Sequence, residues 1–286
     1  MEDNNTSKNS KIHNMFQKIR HQFIGRHYYG ITASSRVLPD FIIIGAMKSG
    51  TTSLYYNICD HPCVETAAYD EIGYFDVNYH LGINWYRSMF PTLTLKKKIL
   101  QEFGHFKTGE DTPFYFWNKL AAKRIQHDLP NVKLIAILRN PIDRAYSEYQ
   151  NGLRNKTENR KFDEIVDQEI EEISKSQISV ELCSKNNAII SRGLYAKQLE
   201  LWKEKINKNE LLVIQTEKFV QDAQNTINQV FDYLELTKYE ITKIRNEKSY
   251  KYPKMNKKTR EKLIEFFKPH NEELYQMLGK KLNWEN

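Results

Sequence analysis

Four apolar residues, Phe41-Ile42-Ile43-Ile44, precede a glycine-bounded segment at 45–52 that reads Gly-Ala-Met-Lys-Ser-Gly-Thr-Thr, and the positions after it are compatible with a helix. Short continuous apolar runs are typical of strands that are buried on both faces. A strand that leads through such a turn into a helix aims backbone N–H groups and the positive end of the helix dipole at one point. The pattern therefore predicts an anion-binding turn.

Two further apolar runs, at 132–138 and 211–214, have the same character. The first is followed by helical spacing from Ile142 to about Leu153, and the second precedes a helix that carries apolar positions at 227–234. Short apolar strands that alternate with amphipathic helices predict an α/β fold with a parallel sheet. We expect a three-layer P-loop-like fold in which a central parallel sheet is flanked by helices.

Ligands of parallel sheets bind beyond the carboxyl ends of the strands. The segment 45–52, the residue Arg139 and the segment 215–219 each follow a predicted strand. We therefore expect them to border one crevice.

The chain of 286 residues is long enough for one large domain and short for two. We expect a single domain over 37–286, preceded by an N-terminal polar and basic extension over 1–36. Within that extension, residues 11–24 place apolar side chains at helical spacing among basic ones. Such a helix either docks on its own domain or makes a peripheral contact with a membrane.

The composition excludes several classes of function. The net charge of +7 favours an anionic ligand, but acidic residues are spread among the basic ones and the chain lacks a dense basic block, so we expect no nucleic-acid partner. Three cysteines without metal-ligand spacing argue against a disulfide scaffold or a structural metal. The polar N-terminus and the absence of a transmembrane-length apolar run make the cytoplasm the expected location.

The lysine in the segment 45–52 does not occupy the position that it has in nucleoside-triphosphate-binding loops. Nucleoside-triphosphate loops end in Gly-Lys-Ser/Thr, whereas Lys48 lies two positions before Gly50. An ordinary turn with a solvated lysine is the alternative, but two glycines and a lysine after a buried strand are a costly way to build one. The second strand ends in Arg139-Asn140, where a Walker-type enzyme needs an acidic residue for magnesium. These features disfavour a P-loop nucleotide kinase and a metal-bound triphosphate.

Arg139 is followed by Ser147 eight residues later, inside the next predicted helix. A guanidinium group at a strand end and a nearby hydroxyl form a workable pair for a second phosphate.

At this point the chain resembles the sulfotransferase superfamily, and within it the heparan sulfate N- and 3-O-sulfotransferase branch. The resemblance runs from Pro39 to about Trp284. The ordered motifs that carry it are Lys48-Ser49-Gly50-Thr51, the segment Asp70-Glu71-Ile72-Gly73-Tyr74-Phe75, the element from Arg139 to Ser147, Arg192-Gly193-Leu194-Tyr195-Ala196-Lys197, and Lys248-Ser249-Tyr250-Lys251-Tyr252-Pro253.

The resemblance implies the donor 3′-phosphoadenosine 5′-phosphosulfate (PAPS), its product adenosine 3′,5′-bisphosphate (PAP), and no metal. It implies that Lys48 stabilises the leaving group and that Glu71 is the general base. The nucleotide-binding residues that it implies are Lys48, Ser49, Gly50, Thr51, Thr52, Arg139, Ser147, Tyr195, Lys248, Ser249, Tyr250 and Lys251.

The resemblance does not identify the acceptor, because different segments are similar to different branches of the family. Asp70 is closer to the acidic pair of the N-sulfotransferase branch, whereas the segment 110–116 is more similar to the O-sulfotransferase branch. We expect sulfuryl transfer to a hydroxyl or amine acceptor on a carbohydrate (glycan or glycolipid). The competing hypotheses are a P-loop nucleotide kinase and a non-catalytic polyanion-binding module that retains the nucleotide crevice.

Overall fold

The structure is a computed structural model that describes residues 30–176, 178–185, 188–204, 210–246 and 250–284. The predicted amphipathic segment 11–24 lies outside the described residues, and so do Lys248 and Ser249.

The described strands form one five-stranded sheet in the order β2-β3-β1-β4-β5, and every pairing in it is parallel. The strands are β1 Phe41–Gly45, β2 Val64–Glu65, β3 Lys107–Asp111, β4 Lys133–Leu138 and β5 Leu211–Gln215. The chain places β2 two positions away from β1, inserts β3 between them, and then crosses to the other side of β1 at β4. The carboxyl ends of β1 and β4 therefore flank the topological switch point, where a crevice is expected.

Helices connect and cover the strands. In chain order they are α1 Thr51–Ile58, α2 Ile83–Arg87, α3 Leu93–Phe103, α4 Lys119–Asp128, α5 Pro141–Asn155, α6 Phe162–Ser174, α7 Val180–Ser184, α8 Tyr195–Lys203, α9 Thr216–Gln221, α10 Ala223–Tyr233 and α11 Lys257–Leu278. Shorter helical turns are Gly30–Thr32, Ala33–Ser35, Tyr79–Leu81, Pro113–Trp117 and Ser191–Gly193.

The two faces of the sheet are covered by different helices. Side chains of β1 alternate, so that Phe41 and Ile43 pack with α1 and α10 while Ile42 and Ile44 pack with α4 and α8. A third cluster of buried residues joins α5, α6 and α11. The predicted three-layer fold is confirmed, and so are the predicted strands around 41–44, 132–138 and 211–214.

The strand β3 does not follow the apolar pattern of its neighbours. Its sequence, Lys-Thr-Gly-Glu-Asp, is polar, yet four of its five residues are buried beside β1. Gly109 makes the close approach possible, because a Cβ atom there would lie 2.6 Å from the ring and from the backbone oxygen of Phe41. Apolar runs therefore predict three of the five described strands, β1, β4 and β5, and they cannot detect β3.

In the part of the chain that the structure describes, no helix combines the length and the apolar character needed to cross a membrane.

Candidate active site

The turn between β1 and α1 forms one wall of the site. Gly50 has φ +95°, a left-handed conformation that suits glycine, and it caps α1 without a side-chain hydrogen bond. The first-turn amides of α1 are therefore available to an anion. Ser49, Thr51 and Thr52 are buried in this turn, and Ser49 is fully so.

Lys48 has φ +66° without being a glycine. Such a conformation is uncommon for a residue with a long side chain and persists where the surroundings impose it. Two neighbouring strand ends hold this turn: Arg139 donates a hydrogen bond of 3.3 Å to the carbonyl oxygen of Lys48, and the Thr216 hydroxyl donates one of 2.7 Å to that of Ser49. Arg139 and Thr216 follow β4 and β5, so the three strand ends adjoin one another as expected. No residue of 215–219, however, is in the lining of the cavity beside Lys48.

Tyr195 lies behind this wall. Its side chain is 1% exposed, and its hydroxyl donates a hydrogen bond of 2.9 Å to the carbonyl oxygen of Arg139. Burial raises the pKa of Tyr195 to about 12, so the hydroxyl stays protonated and remains a donor. Tyr195 thus contacts Arg139, and it is not among the residues that line the cavity beside Lys48.

A cavity of about 620 Å³ opens beside Lys48, which is a size suited to a small-molecule ligand. Five of the twelve predicted nucleotide-binding residues line it: Lys48, Arg139, Ser147, Tyr250 and Lys251. The predicted residues 49–52 and Tyr195 are not in its lining. The remaining lining residues are Gln150, Asn151, Leu153, Arg154, Tyr252 and Pro253.

The helix α5 presents Ser147 to this cavity, and buried charges fix the helix in place. Asn140 caps it by accepting a hydrogen bond of 3.0 Å from the Ile142 amide. On the buried side, Arg144 pairs with Glu148 at 2.5 Å, and Arg192 pairs with the same carboxylate. A buried ion pair of this kind is costly to break, so it holds α5 against the Ser191–Gly193 turn. The apolar pattern does not reveal this network.

The segment with Glu71 lies at the end of β3. The Glu71 amide donates a hydrogen bond of 3.1 Å to the carbonyl oxygen of Asp111. Its neighbour Asp70 accepts a hydrogen bond of 2.6 Å from the Tyr56 hydroxyl on α1. Because β3 is paired with β1 and α1 follows the lysine turn, the structure ties the segments of Lys48 and Glu71 to the same part of the sheet.

Glu71 itself has φ +54°. Five non-glycine residues have positive φ in the described ranges, and two of them are the residues predicted to carry the chemistry, Lys48 and Glu71. Backbone strain of this kind clusters at functional sites, so the observation supports a functional role for both turns.

The buried carboxyl group of Glu110, to which the sequence assigns no role, organises the hydroxyl groups that anchor the Glu71 segment. Glu110 is 1% exposed and accepts hydrogen bonds from the hydroxyls of Tyr86 (2.6 Å), Thr112 (2.6 Å) and Tyr115 (3.2 Å). Two of these hydroxyls also accept from the segment itself: Thr112 from the Gly73 amide, and Tyr115 from the Phe75 amide. Burial raises the pKa of Glu110 to about 7, although the three hydroxyls oppose the shift.

The end of β3 supplies the acidic residues that the sequence does not show at the end of β4. The end Arg139-Asn140 of β4 carries no acid, but β3 lies on the other side of β1 and ends in Glu110-Asp111. An acidic strand end is thus present beside the lysine turn. Within the described ranges, no three His, Cys, Asp or Glu side chains gather as metal ligands would.

The site offers a lysine, an arginine and a serine hydroxyl along one cavity. The helix amides lie in the adjoining turn, and a carboxylate lies on a second turn with positive φ. The cations and donors suit a ligand with two anionic groups, and the carboxylate suits proton abstraction.

Comparison with known proteins shows which family this chain is similar to. The family described as "Sulfotransferase domain" matches residues 38–286. The heparan sulfate glucosamine 3-O-sulfotransferase 3B1 of Mus musculus is 30% identical over 277 residues, which cover 88% of this chain and 66% of the relative. The bifunctional heparan sulfate N-deacetylase/N-sulfotransferase 2 of Homo sapiens is 27% identical over 275 residues, with coverages of 85% and 30%.

Among solved structures, a sulfotransferase from Alicyclobacillus acidocaldarius has a TM-score of 0.66 and 23% identity, and the match covers 87% of this chain and 100% of that one. The likeness shows a shared fold. The chain spans two thirds or less of the length of the two curated relatives described above.

Proposed function

The chain belongs to the sulfotransferase family, and from that premise we propose that it transfers the sulfuryl group of PAPS to a hydroxyl or amine acceptor on a carbohydrate. The observation that carries the proposal is the cavity in which Lys48, Arg139 and Ser147 line a common wall. These groups match a donor that has anionic groups at both its 5′ and its 3′ positions.

In the proposed complex, the 5′-phosphosulfate binds the lysine turn. Lys48 and the hydroxyls and amides of 49–52 surround it, and the helix dipole of α1 favours its negative charge. Arg139 and Ser147 bind the 3′-phosphate. The hydrogen bond from Arg139 to the Lys48 carbonyl couples the two anion sites, so that a ligand with the correct spacing between its phosphates is favoured.

The proposed reaction is an in-line displacement at sulfur. The bond from sulfur to the oxygen that bridges it to the nucleotide breaks, and negative charge develops on that oxygen as PAP departs. Lys48 interacts with this charge more strongly in the transition state than in the ground state, and such selective interaction accelerates the chemical step.

Glu71 accepts the proton of the acceptor hydroxyl or amine as the new bond to sulfur forms. Its backbone is fixed at Asp111, and its segment is anchored through Gly73 and Phe75 to the hydroxyls that surround Glu110. This anchoring supports a base that is held in one orientation, which is what proton transfer in a transition state requires.

The names of the relatives favour a glycan acceptor, because one is a heparan sulfate 3-O-sulfotransferase and the other contains a heparan sulfate N-sulfotransferase. These names are compatible with sulfation of a hydroxyl oxygen or of an amine nitrogen. The aromatic side chains that follow Glu71 do not offer a stacking surface for a sugar: Tyr74, Trp85 and Tyr86 are 2%, 9% and 0% exposed and pack in the core. Recognition of an acceptor therefore has to rest on other side chains.

The test begins by offering labelled PAPS to a panel of glycans, glycolipids, small alcohols and amines. With the best acceptor, Glu71→Gln should lower turnover at least about 100-fold, because general base catalysis contributes about 10²–10⁴-fold. It should leave the affinity for PAP unchanged within about twofold. Glu102→Gln removes an exposed carboxylate of α3 and is the matched control. Near-normal turnover by Glu71→Gln would contradict the role of Glu71.

One observation favours a second candidate, a P-loop nucleotide kinase. Asp111 ends the strand beside β1, where such enzymes hold magnesium. Magnesium-dependent transfer of phosphate from ATP, without sulfuryl transfer from PAPS, would support the kinase. Tight binding of PAP without turnover on any acceptor would support the polyanion-binding module instead.

A further inference from the structure

Arg154 lies on the same side of α5 as Ser147. The residues Ser147, Asn151 and Arg154 are spaced by four and then three positions, which places them along one helix face, and all three line the cavity of about 620 Å³. The sequence motifs end at Ser147, so they do not single out the two later residues.

The guanidinium group of Arg154 is held by two contacts. It donates a hydrogen bond of 2.6 Å to Oδ1 of Asn151, and it stacks on the ring of Tyr250 with 3.5 Å between its central carbon and the ring centroid. An arginine on a helix surface ordinarily loses conformational entropy when it is fixed, so two such contacts indicate a preferred position. Tyr250 belongs to the late segment that also lines the cavity.

The hydrogen bond to Asn151 directs the side chain back toward Ser147. Seven residues of α-helix span about 10.5 Å, too far for two short side chains to share a ligand. The guanidinium group, however, is hydrogen-bonded to Oδ1 of Asn151, whose own position is about one turn nearer to Ser147 along the helix. It therefore approaches the part of the cavity where Arg139 and Ser147 lie.

The charge of Arg154 is not neutralised by a carboxylate. No Asp or Glu in the described ranges lies within ion-pair distance of it, whereas Arg144 and Arg160 on or near the same helix both have such partners. Of its five N–H donors, one is used by Asn151. The remaining donors and a full positive charge are available to an anion in the cavity.

From this geometry we propose that Arg154 is a binding residue for the 3′-phosphate of the donor nucleotide, and that Tyr250 and Asn151 position its guanidinium group. The inference rests on the proposed function, because it takes the cavity to be the PAPS site. It adds a second guanidinium group to the 3′-phosphate site and gives Tyr250 a role as a stacking platform and not as a phosphate ligand.

The experiment compares two nucleotides by calorimetry: PAP, which has a 3′-phosphate, and adenosine 5′-phosphate, which lacks it. Arg154→Gln should weaken PAP about tenfold, the size expected for one charge-assisted hydrogen bond. It should weaken adenosine 5′-phosphate less than twofold. Arg154→Lys should fall between wild type and Arg154→Gln, since it keeps the charge but loses the planar fork.

Tyr250→Leu removes the platform and should weaken PAP by a smaller factor than Arg154→Gln. Lys97→Gln is the control for the loss of one positive charge, because Lys97 is exposed on α3 and lies outside the cavity lining. It should leave the affinity for PAP unchanged.

Two results would overturn the proposal while leaving the proposed function intact: unchanged PAP affinity in Arg154→Gln, or equal losses for the two nucleotides. A wild-type chain that binds neither nucleotide would instead overturn the proposed function, and this inference with it.

Discussion

At the scale of single residues, the backbone gives information that the side-chain types do not. Lys48 and Glu71 are singled out in the sequence by their motifs alone. In the structure both have positive φ, a conformation that costs about 1–3 kcal/mol for a residue other than glycine. Because local sequence does not reveal strain imposed by distant contacts, this feature could not be predicted.

Glu110 gives a prediction about pH. Burial raises the pKa of Glu110 from its ordinary 4.5 to about 7. Between these values the folded chain keeps a proton that the unfolded chain releases, so the free energy of unfolding should fall as pH rises through this window, by about 3 kcal/mol. The free energy of unfolding, measured by urea denaturation from pH 5 to pH 8, checks this.

The matched variant is Glu110→Gln, which keeps a buried polar side chain of the same shape but does not titrate. Other carboxylates contribute equally to both proteins, so the difference between wild type and variant isolates Glu110. The wild type should lose stability relative to the variant as pH rises from 5 to 8. A constant difference between the two proteins over this range would contradict the shifted pKa.

At the scale of elements, the helices and strands that follow apolar periodicity were predictable. The strands β1, β4 and β5 and the helices α5 and α10 begin and end within a few residues of their predicted positions. The strand β3 was not predictable from the sequence. Its burial depends on the close approach of Phe41 to Gly109 and on the hydroxyl partners of Glu110, and not on apolar side chains. The acidic strand end beside β1 was therefore missed as well.

Gly109 tests this account of β3. In Gly109→Ala the new Cβ atom would lie 2.6 Å from the Phe41 ring and from the Phe41 backbone oxygen, so the strands would have to separate. We expect a loss of about 1–3 kcal/mol in the free energy of unfolding, as is typical of overpacked cores. Gly30→Ala is the control, since nothing lies within 4 Å of its new Cβ atom. Equal stabilities of the two variants in urea denaturation would contradict the close approach.

At the scale of the whole molecule, the donor side of the site is more predictable than the acceptor side. The strand ends and the glycine-bounded turn are local features, and the parallel sheet brings them together by topology. The acceptor side depends on how the segment with Glu71 folds against β3, which a local pattern does not determine. The cytoplasmic location, the single domain over 37–286 and the absence of a nucleic-acid partner stay predictions.

The central claim is that the cavity beside Lys48 binds a 3′-phosphorylated adenine nucleotide without a metal. Titration calorimetry of the wild-type chain with PAP, once in magnesium and once in EDTA, tests it most directly. The account predicts saturable binding of one nucleotide per chain, with the same affinity in both buffers. Absence of binding, or binding that is lost in EDTA, would contradict it.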